Sequence, residues 1–377
     1  MEKFPIDIFK ETPTPFYYYD LALLDKTLAQ LKEDAGNYNV HYALKANTDK
    51  KVVETIASHG LGADCVSGGE VDLALASGIP ANKIVFAGVG KTDKEIENAL
   101  KAGIGCFNVE SIEELEVISE IATRLGETAN VAFRVNPNVD AHTHANITTG
   151  LSENKFGINL ELLPMAVECG NRLPGINIIG LHFHIGSQVL EFSPFRELCT
   201  VVNGLIDTYP GLTYINVGGG LGIDYVDPDK NPIPDFKSYF EVFRNNLNLK
   251  ENQTLHFELG RSIVGQCGSL ISRVIYVKNG TVKKFLICDA GMSELIRPAL
   301  YDAHHVVENL SAPENSPKEE YDVVGPICES SDVFAHSELL PLSHRGDLIA
   351  FRSAGAYGET MASHYNLRSL EPTIYGE

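Results

Sequence analysis

From Val40 onward, short apolar runs rich in β-branched and aromatic residues alternate with polar stretches whose apolar positions recur at helical spacing. The strand-like runs are Val40–Lys45, Leu61–Val66, Lys83–Ala87, Ile104–Val109, Val131–Val135, Ile178–His184, Thr213–Val217 and Thr254–Glu258. Between them, Lys50–His59, Glu70–Ser77, Lys94–Ala102 and Ile112–Leu125 read as helices. They end at Gly60, Gly78, Gly103 and Gly126, where a helix C-cap favours a residue tolerant of positive φ. Eight such alternations predict an α/β fold, a TIM-like (β/α)8 barrel over residues 30–264. An open doubly wound sheet is the alternative, but no Gly-x-Gly-x-x-Gly follows the first strand.

Past Ser262 the pattern turns to strands without long helices. Arg273–Val277 and Val282–Cys288 flank Asn279-Gly280, the pair that a two-residue hairpin turn favours, and Tyr321–Val324 and Asp347–Phe351 read as further strands. Residues 265–377 therefore predict an all-β domain, joined by residues 1–29 through the strand-like Phe16–Tyr19. Ser311–Glu320, rich in Pro, Ser and Glu, predicts an exposed loop.

A chain of 377 residues with 44% hydrophobic residues can bury a large core across two domains. Its net charge of -20 argues against nucleic acid or an anionic membrane as partner and leaves a small molecule as the expectation. Seven cysteines without a Cys-x-x-Cys pair argue against a disulfide framework or a structural zinc site, and fit a reducing cytoplasm. Met1–Lys10 carries acidic residues and a proline where a secretory signal needs a basic segment and a long apolar core, and no apolar run reaches membrane-spanning length.

In a barrel of this type the chemistry collects at the C-terminal ends of the strands. Lys45 ends the first strand, where burial would lower its pKa and make its amine nucleophilic, as a Schiff-base lysine requires. Arg134 and Asn136 end the fifth, His184 the sixth, Gly218-Gly219-Gly220 the seventh, and Glu258 followed by Arg261 the eighth. Three glycines let backbone N–H groups approach a phosphate, although a tight turn would serve as well. An amine, a phosphate nest and a carboxylate able to keep a pyridine nitrogen protonated match the needs of pyridoxal 5'-phosphate. His182 and His184 share a strand face, but without a third ligand a metal pair is the weaker reading. His142, His144, His304 and His305 read as polar loop residues.

The runs YALKAN (Tyr42–Asn47), ENKFGI (Glu153–Ile158), HFHIGS (His182–Ser187), VGGGLG (Val217–Gly222), ELGRS (Glu258–Ser262), RPALY (Arg297–Tyr301), GPICES (Gly325–Ser330) and GAYG (Gly355–Gly358) resemble, in order, those of diaminopimelate decarboxylases. These belong to the alanine racemase and ornithine decarboxylase fold type of pyridoxal-phosphate enzymes. The resemblance implies that Lys45 carries the cofactor, that His184 stacks on its ring, and that Ser187, Gly219, Gly220, Glu258, Gly260, Arg261 and Tyr357 hold its phosphate and ring nitrogen. It implies that Arg261, Arg297, Tyr301 and Tyr357 meet the substrate, with Cys328 as proton donor and Glu329 as partner of an amino group, both reaching in from the second subunit of a homodimer. Leu259 stands where the family more often has proline, and the end at Glu377, soon after Tyr365-Asn366, implies a shorter final edge of the β domain.

The implied reaction is decarboxylation of meso-2,6-diaminopimelate to L-lysine and carbon dioxide, the last step of lysine biosynthesis. The rivals are an ornithine, lysine or carboxynorspermidine decarboxylase on the same fold, a catalytically inactive homologue acting as a binding protein, and a metal-dependent hydrolase built on His182 and His184. The arginine of RPALY and the glutamate after Cys328 disfavour ornithine and lysine, and retention of Lys45, Glu258 and Cys328 disfavours an inactive homologue.

Overall fold

In the computed structural model, whose described residues are 4–140, 155–313 and 315–376, eight parallel strands close on themselves. They are β1 (Asn39–Ala43), β2 (Gly62–Cys65), β3 (Ile84–Phe86), β4 (Cys106–Val109), β5 (Ala129–Asn136), β6 (Ile176–His182), β7 (Tyr214–Asn216) and β8 (Thr254–Leu259). Each pairs with the next, and β8 returns to β1 with Leu259 opposite Tyr42. The two-residue strand Ile158–Asn159 adds to the end of β5.

Local chemistry explains the alternation. Asp49, Ser67 and Ser111 cap the helices Lys50–Ser58, Gly68–Ala76 and Ile112–Leu125 by accepting a backbone N–H, and Thr92 with Glu95 forms a reciprocal capping box on Asp93–Ala102. At the far ends Gly60, Gly78, Gly103 and Gly126 all take positive φ, as the sequence predicts. The helix Phe236–Asn246 seats Tyr239, Phe240 and Phe243 edge-on against Phe257 of β8, an aromatic cluster that fixes one flank of the barrel.

The barrel belongs to one of two compact units, Leu28–Gly222 with Asp235–Arg261. The other gathers Met1–Thr27, Ile223–Pro234 and Ser262–Glu377, so the excursion Ile223–Pro234 leaves the barrel before its last strand, which the strand pattern does not reveal. In this unit the strand order is Val307–Asn309, Leu348–Phe351, Gly268–Asn279, Lys284–Cys288, Lys318–Val324 and Val333–Pro341. Phe16–Asp20 pairs antiparallel with Gly268–Asn279, and Ile374–Gly376 adds to it in parallel. Phe9, Phe16, Tyr18, Ile271, Leu348 and Ala350 pack into its core.

Two expectations need correction here. Asn279 pairs with Lys284, so the hairpin loop is Gly280–Lys283 and not a two-residue turn; neither Asn279 nor Gly280 takes the positive φ that such a turn requires. Lys318–Glu320, assigned to an exposed loop, begins the strand Lys318–Val324 because its register with Val333–Pro341 extends to Pro341.

Candidate active site

β1 stops at Ala43, and the chain makes one 3-10 turn, Leu44–Ala46, that carries Lys45. The Tyr42 hydroxyl donates to the Asn47 carbonyl at 2.8 Å and closes the turn from beneath. Gly260 lies against it so closely that a Cβ there would fall 2.9 Å from that of Ala46. Only glycine lets the end of β8 and this turn meet.

The expected desolvated amine is not what forms. The Lys45 side chain is 37% exposed, and its Nζ lies 3.5 Å from the carboxylate of Asp64 on β2, a residue that is 1% exposed. Neither Asp64 oxygen accepts a hydrogen bond among the described residues. Burial, reinforced by the charge of Glu258 and opposed by that of Lys45, pushes the Asp64 carboxyl up to about 6. Glu70 stands behind it; burial takes it up to about 7 despite the backbone N–H of Val66 on its Oε2 at 2.8 Å.

Glu258 shows the opposite balance. Its Oε1 accepts from Asn108 Nδ2 at 2.9 Å and Asn216 Nδ2 at 2.7 Å, and its Oε2 lies 2.8 Å from His182 Nε2. Burial opposes its ionisation, but the charge and hydrogen bond of His182, together with the charges of Lys45 and His41, hold the carboxyl well below its usual range. A carboxylate offers about four lone-pair sites, so three donors leave room for one more. Two buried carboxyls in one barrel are thus driven apart, Glu258 ionised and Asp64 ready to carry a proton. His182 belongs to this network as a partner of Glu258.

Burial first, and then the cations Lys45 and Arg134, lower His184 well below its ordinary value, so its imidazole is neutral. Its Nδ1 accepts the Gly219 N–H at 3.3 Å. The Gly218 N–H goes to Asn216 Oδ1 at 2.9 Å, which leaves the Gly220 N–H as the donor of the three without an acceptor among the described residues. Gly219 serves instead by its size, because a Cβ there would sit 2.0 Å from the Glu258 carbonyl. Nearby, Arg261 directs Nη2 to Ser187 Oγ at 2.9 Å, pairing a guanidinium and a hydroxyl suited to an anion.

Arg134 is bound to Glu110 at 2.7 Å and stacks on Phe156 of the KFG run, while Glu110 also accepts the Gly157 N–H at 2.8 Å. His142, His144, Glu153 and Asn154 lie outside the described residues. Lys91 is fully buried against Glu114 at 2.6 Å and the carbonyls of Gly88 and Asn108, a structural lysine with its donors engaged.

In the other unit, Arg297 opens the short helix Arg297–Tyr301 and is 5% exposed. Its guanidinium lies 4.8 Å over the Tyr225 ring and donates to His305 Nε2 at 2.9 Å. His305 and His304 both lie in the loop before Val307, as read, but His305 is 1% exposed whereas His304 is exposed. Tyr301 is half-buried, and Tyr357 is half-buried with φ of 56°. Cys328 alone of the seven free cysteines is exposed, and its N–H donates to Asn366 Oδ1 at 3.0 Å. Glu329 accepts from Tyr365 at 2.7 Å and Ser331 at 3.1 Å. Asp64, Asn108 and Asn216 escaped the sequence reading and could have been found as polar residues within apolar strands, whereas His305 was read only as a polar loop residue.

The mouth of the (β/α)8 barrel thus gathers a lysine, an ionised carboxylate and a glycine cradle. Residues 21–265 match the pyridoxal-binding domain of the pyridoxal-dependent decarboxylases. A diaminopimelate decarboxylase of Bacteroides thetaiotaomicron is 58% identical over 97% of this chain and 96% of its own. The crystal structure of diaminopimelate decarboxylase from Helicobacter pylori complexed with L-lysine superposes with a TM-score of 0.91 at 39% identity, covering 99% of this chain and 94% of that one. The chain belongs to the diaminopimelate decarboxylase family. A lysine/ornithine decarboxylase from Vibrio vulnificus, at 24% identity and a TM-score of 0.85 over 98% of this chain and 96% of that one, shares the fold.

Proposed function

We propose that this chain decarboxylates meso-2,6-diaminopimelate to L-lysine and carbon dioxide, the closing step of lysine biosynthesis, with pyridoxal 5'-phosphate at the barrel mouth. The observation that carries the reading is the pairing of Lys45 with a protonatable Asp64 beside an ionised Glu258. These residues fit the cofactor: Lys45 Nζ would hold it covalently, the remaining lone pair of Glu258 would keep its ring nitrogen protonated, and Ser187, Arg261 and the Gly220 N–H would hold its phosphate. When bound, the cofactor supplies an electron sink for the carbon that loses its carboxylate.

The chain's own residues do the rest. Neutral His184 offers a flat face without a competing charge, and Asp64 takes and returns the proton of Lys45 Nζ. Arg297 and Glu329 recognise the distal carboxylate and ammonium, with Tyr301 and Tyr357 around them. Lysine and ornithine carry no distal carboxylate for Arg297 to meet, which is the ground on which the site would reject them. The exposed thiol of Cys328 donates the proton that replaces carbon dioxide, and with Glu329 acts on the barrel of a second copy in a homodimer. Seven free thiols support a reducing cytoplasm as the compartment, and no helix among the described residues is long and apolar enough to cross a membrane.

The test is carbon dioxide release, with product identified, from diaminopimelate isomers, ornithine, lysine and arginine. The meso isomer should give L-lysine with the highest kcat/KM; faster turnover of ornithine or lysine would refute the proposal.

A further inference from the structure

The partners of His305 determine its protonation. Its Nδ1 lies 2.8 Å from the Arg352 carbonyl, which only accepts, so Nδ1 carries the hydrogen. Its Nε2 lies 2.9 Å from Arg297 Nη1, which only donates, so Nε2 presents a lone pair. One neutral tautomer meets both demands, and an imidazolium meets neither the guanidinium charge nor its hydrogen. The ring is also held firmly. The Arg352 N–H donates to the Val306 carbonyl at 2.9 Å, and Val307 pairs with Phe351. The Arg352 guanidinium is tied to Glu308 at 3.0 Å and Asp229 at 3.1 Å. Tyr225 supports the guanidinium of Arg297 from one face and meets His305 edge-on, 5.3 Å away at 82°.

We propose that His305 is the positioning residue for Arg297: it fixes one edge of the guanidinium through a neutral acceptor that adds no opposing charge of its own. A carboxylate at this place would orient the arginine equally well but would neutralise it. The imidazole orients without neutralising, which is what recognition of a distal carboxylate demands. This inference rests on the assignment of Arg297 to that carboxylate.

The test is steady-state kinetics on meso-diaminopimelate with holoenzyme variants, together with the cofactor's visible absorbance. His305→Phe keeps the ring volume and removes the acceptor. It should raise KM about tenfold or more, the cost of a lost hydrogen bond to a charged group, with kcat and the absorbance little changed. His305→Gln, whose amide oxygen reaches the place of Nε2, should restore KM to within a few-fold of the parent. If the phenylalanine variant does not fold, His305→Asn carries the same expectation, since its amide can still donate to Arg352 but is too short for Arg297. Adding His305→Phe to Arg297→Ala should raise KM no further. Equal KM for the parent and His305→Phe, beside a raised KM for Arg297→Ala, would overturn the positioning role alone. An unchanged KM in Arg297→Ala would instead remove the substrate assignment on which the inference rests.

Discussion

The Lys45 ammonium and the Asp64 carboxylate stand 3.5 Å apart because Ala43, two residues before the lysine, is in register with Asp64 across β1 and β2. The contact joins the group assigned to hold the cofactor to a carboxyl that burial pushes up to about 6. Since that value lies above the ordinary carboxylate range, the folded chain holds this proton more tightly than the unfolded one. The resulting stabilisation is complete below about pH 4 and is lost as pH rises through about 6.

Asp64→Asn should remove that dependence. Thermal unfolding of the cofactor-free parent and variant between pH 4 and 7 should show the parent losing stability relative to the variant as pH rises. Parallel curves would mean that Asp64 does not titrate in this window.

Glu258→Gln keeps the size of the side chain and gives up its charge. The cofactor should still attach at Lys45, while kcat should fall about 100-fold or more through lost electrostatic stabilisation. Bound cofactor per chain and kcat are the two readouts, and an unchanged kcat would exclude Glu258 as the partner of the ring nitrogen.

Inactive Lys45→Ala and Cys328→Ala chains, mixed and allowed to exchange subunits, should recover about a quarter of the parent activity, since half the dimers are hybrids with one intact site each. No recovery after verified exchange would place each site within a single chain.

The barrel was legible because each strand and helix end is written locally: Gly103 and Gly126 take the positive φ that their position predicts. Lys45 and Glu258 could be picked out as charged groups at the ends of apolar strands. Asp64 could not be tied to Lys45, because its meaning depends on the register of β2 against β1. The nest was read only in part, since Asn216 and His184 take two N–H groups that sequence alone leaves available. The loop that holds His305 was legible, but its burial was not, because its partners Arg297 and Arg352 are eight and 47 residues away in the chain.

All the assigned chemistry converges on Lys45, so the most direct measurement is borohydride reduction of the holoenzyme followed by peptide mapping. The pyridoxyl group should be found on Lys45. Lys91 should be unlabelled, because Glu114 and two carbonyls engage its buried amine, and so should Lys155, whose Nζ lies over the Phe156 ring. Label on Lys91 or Lys155, or reduction without any covalent label, would contradict the site at the barrel mouth.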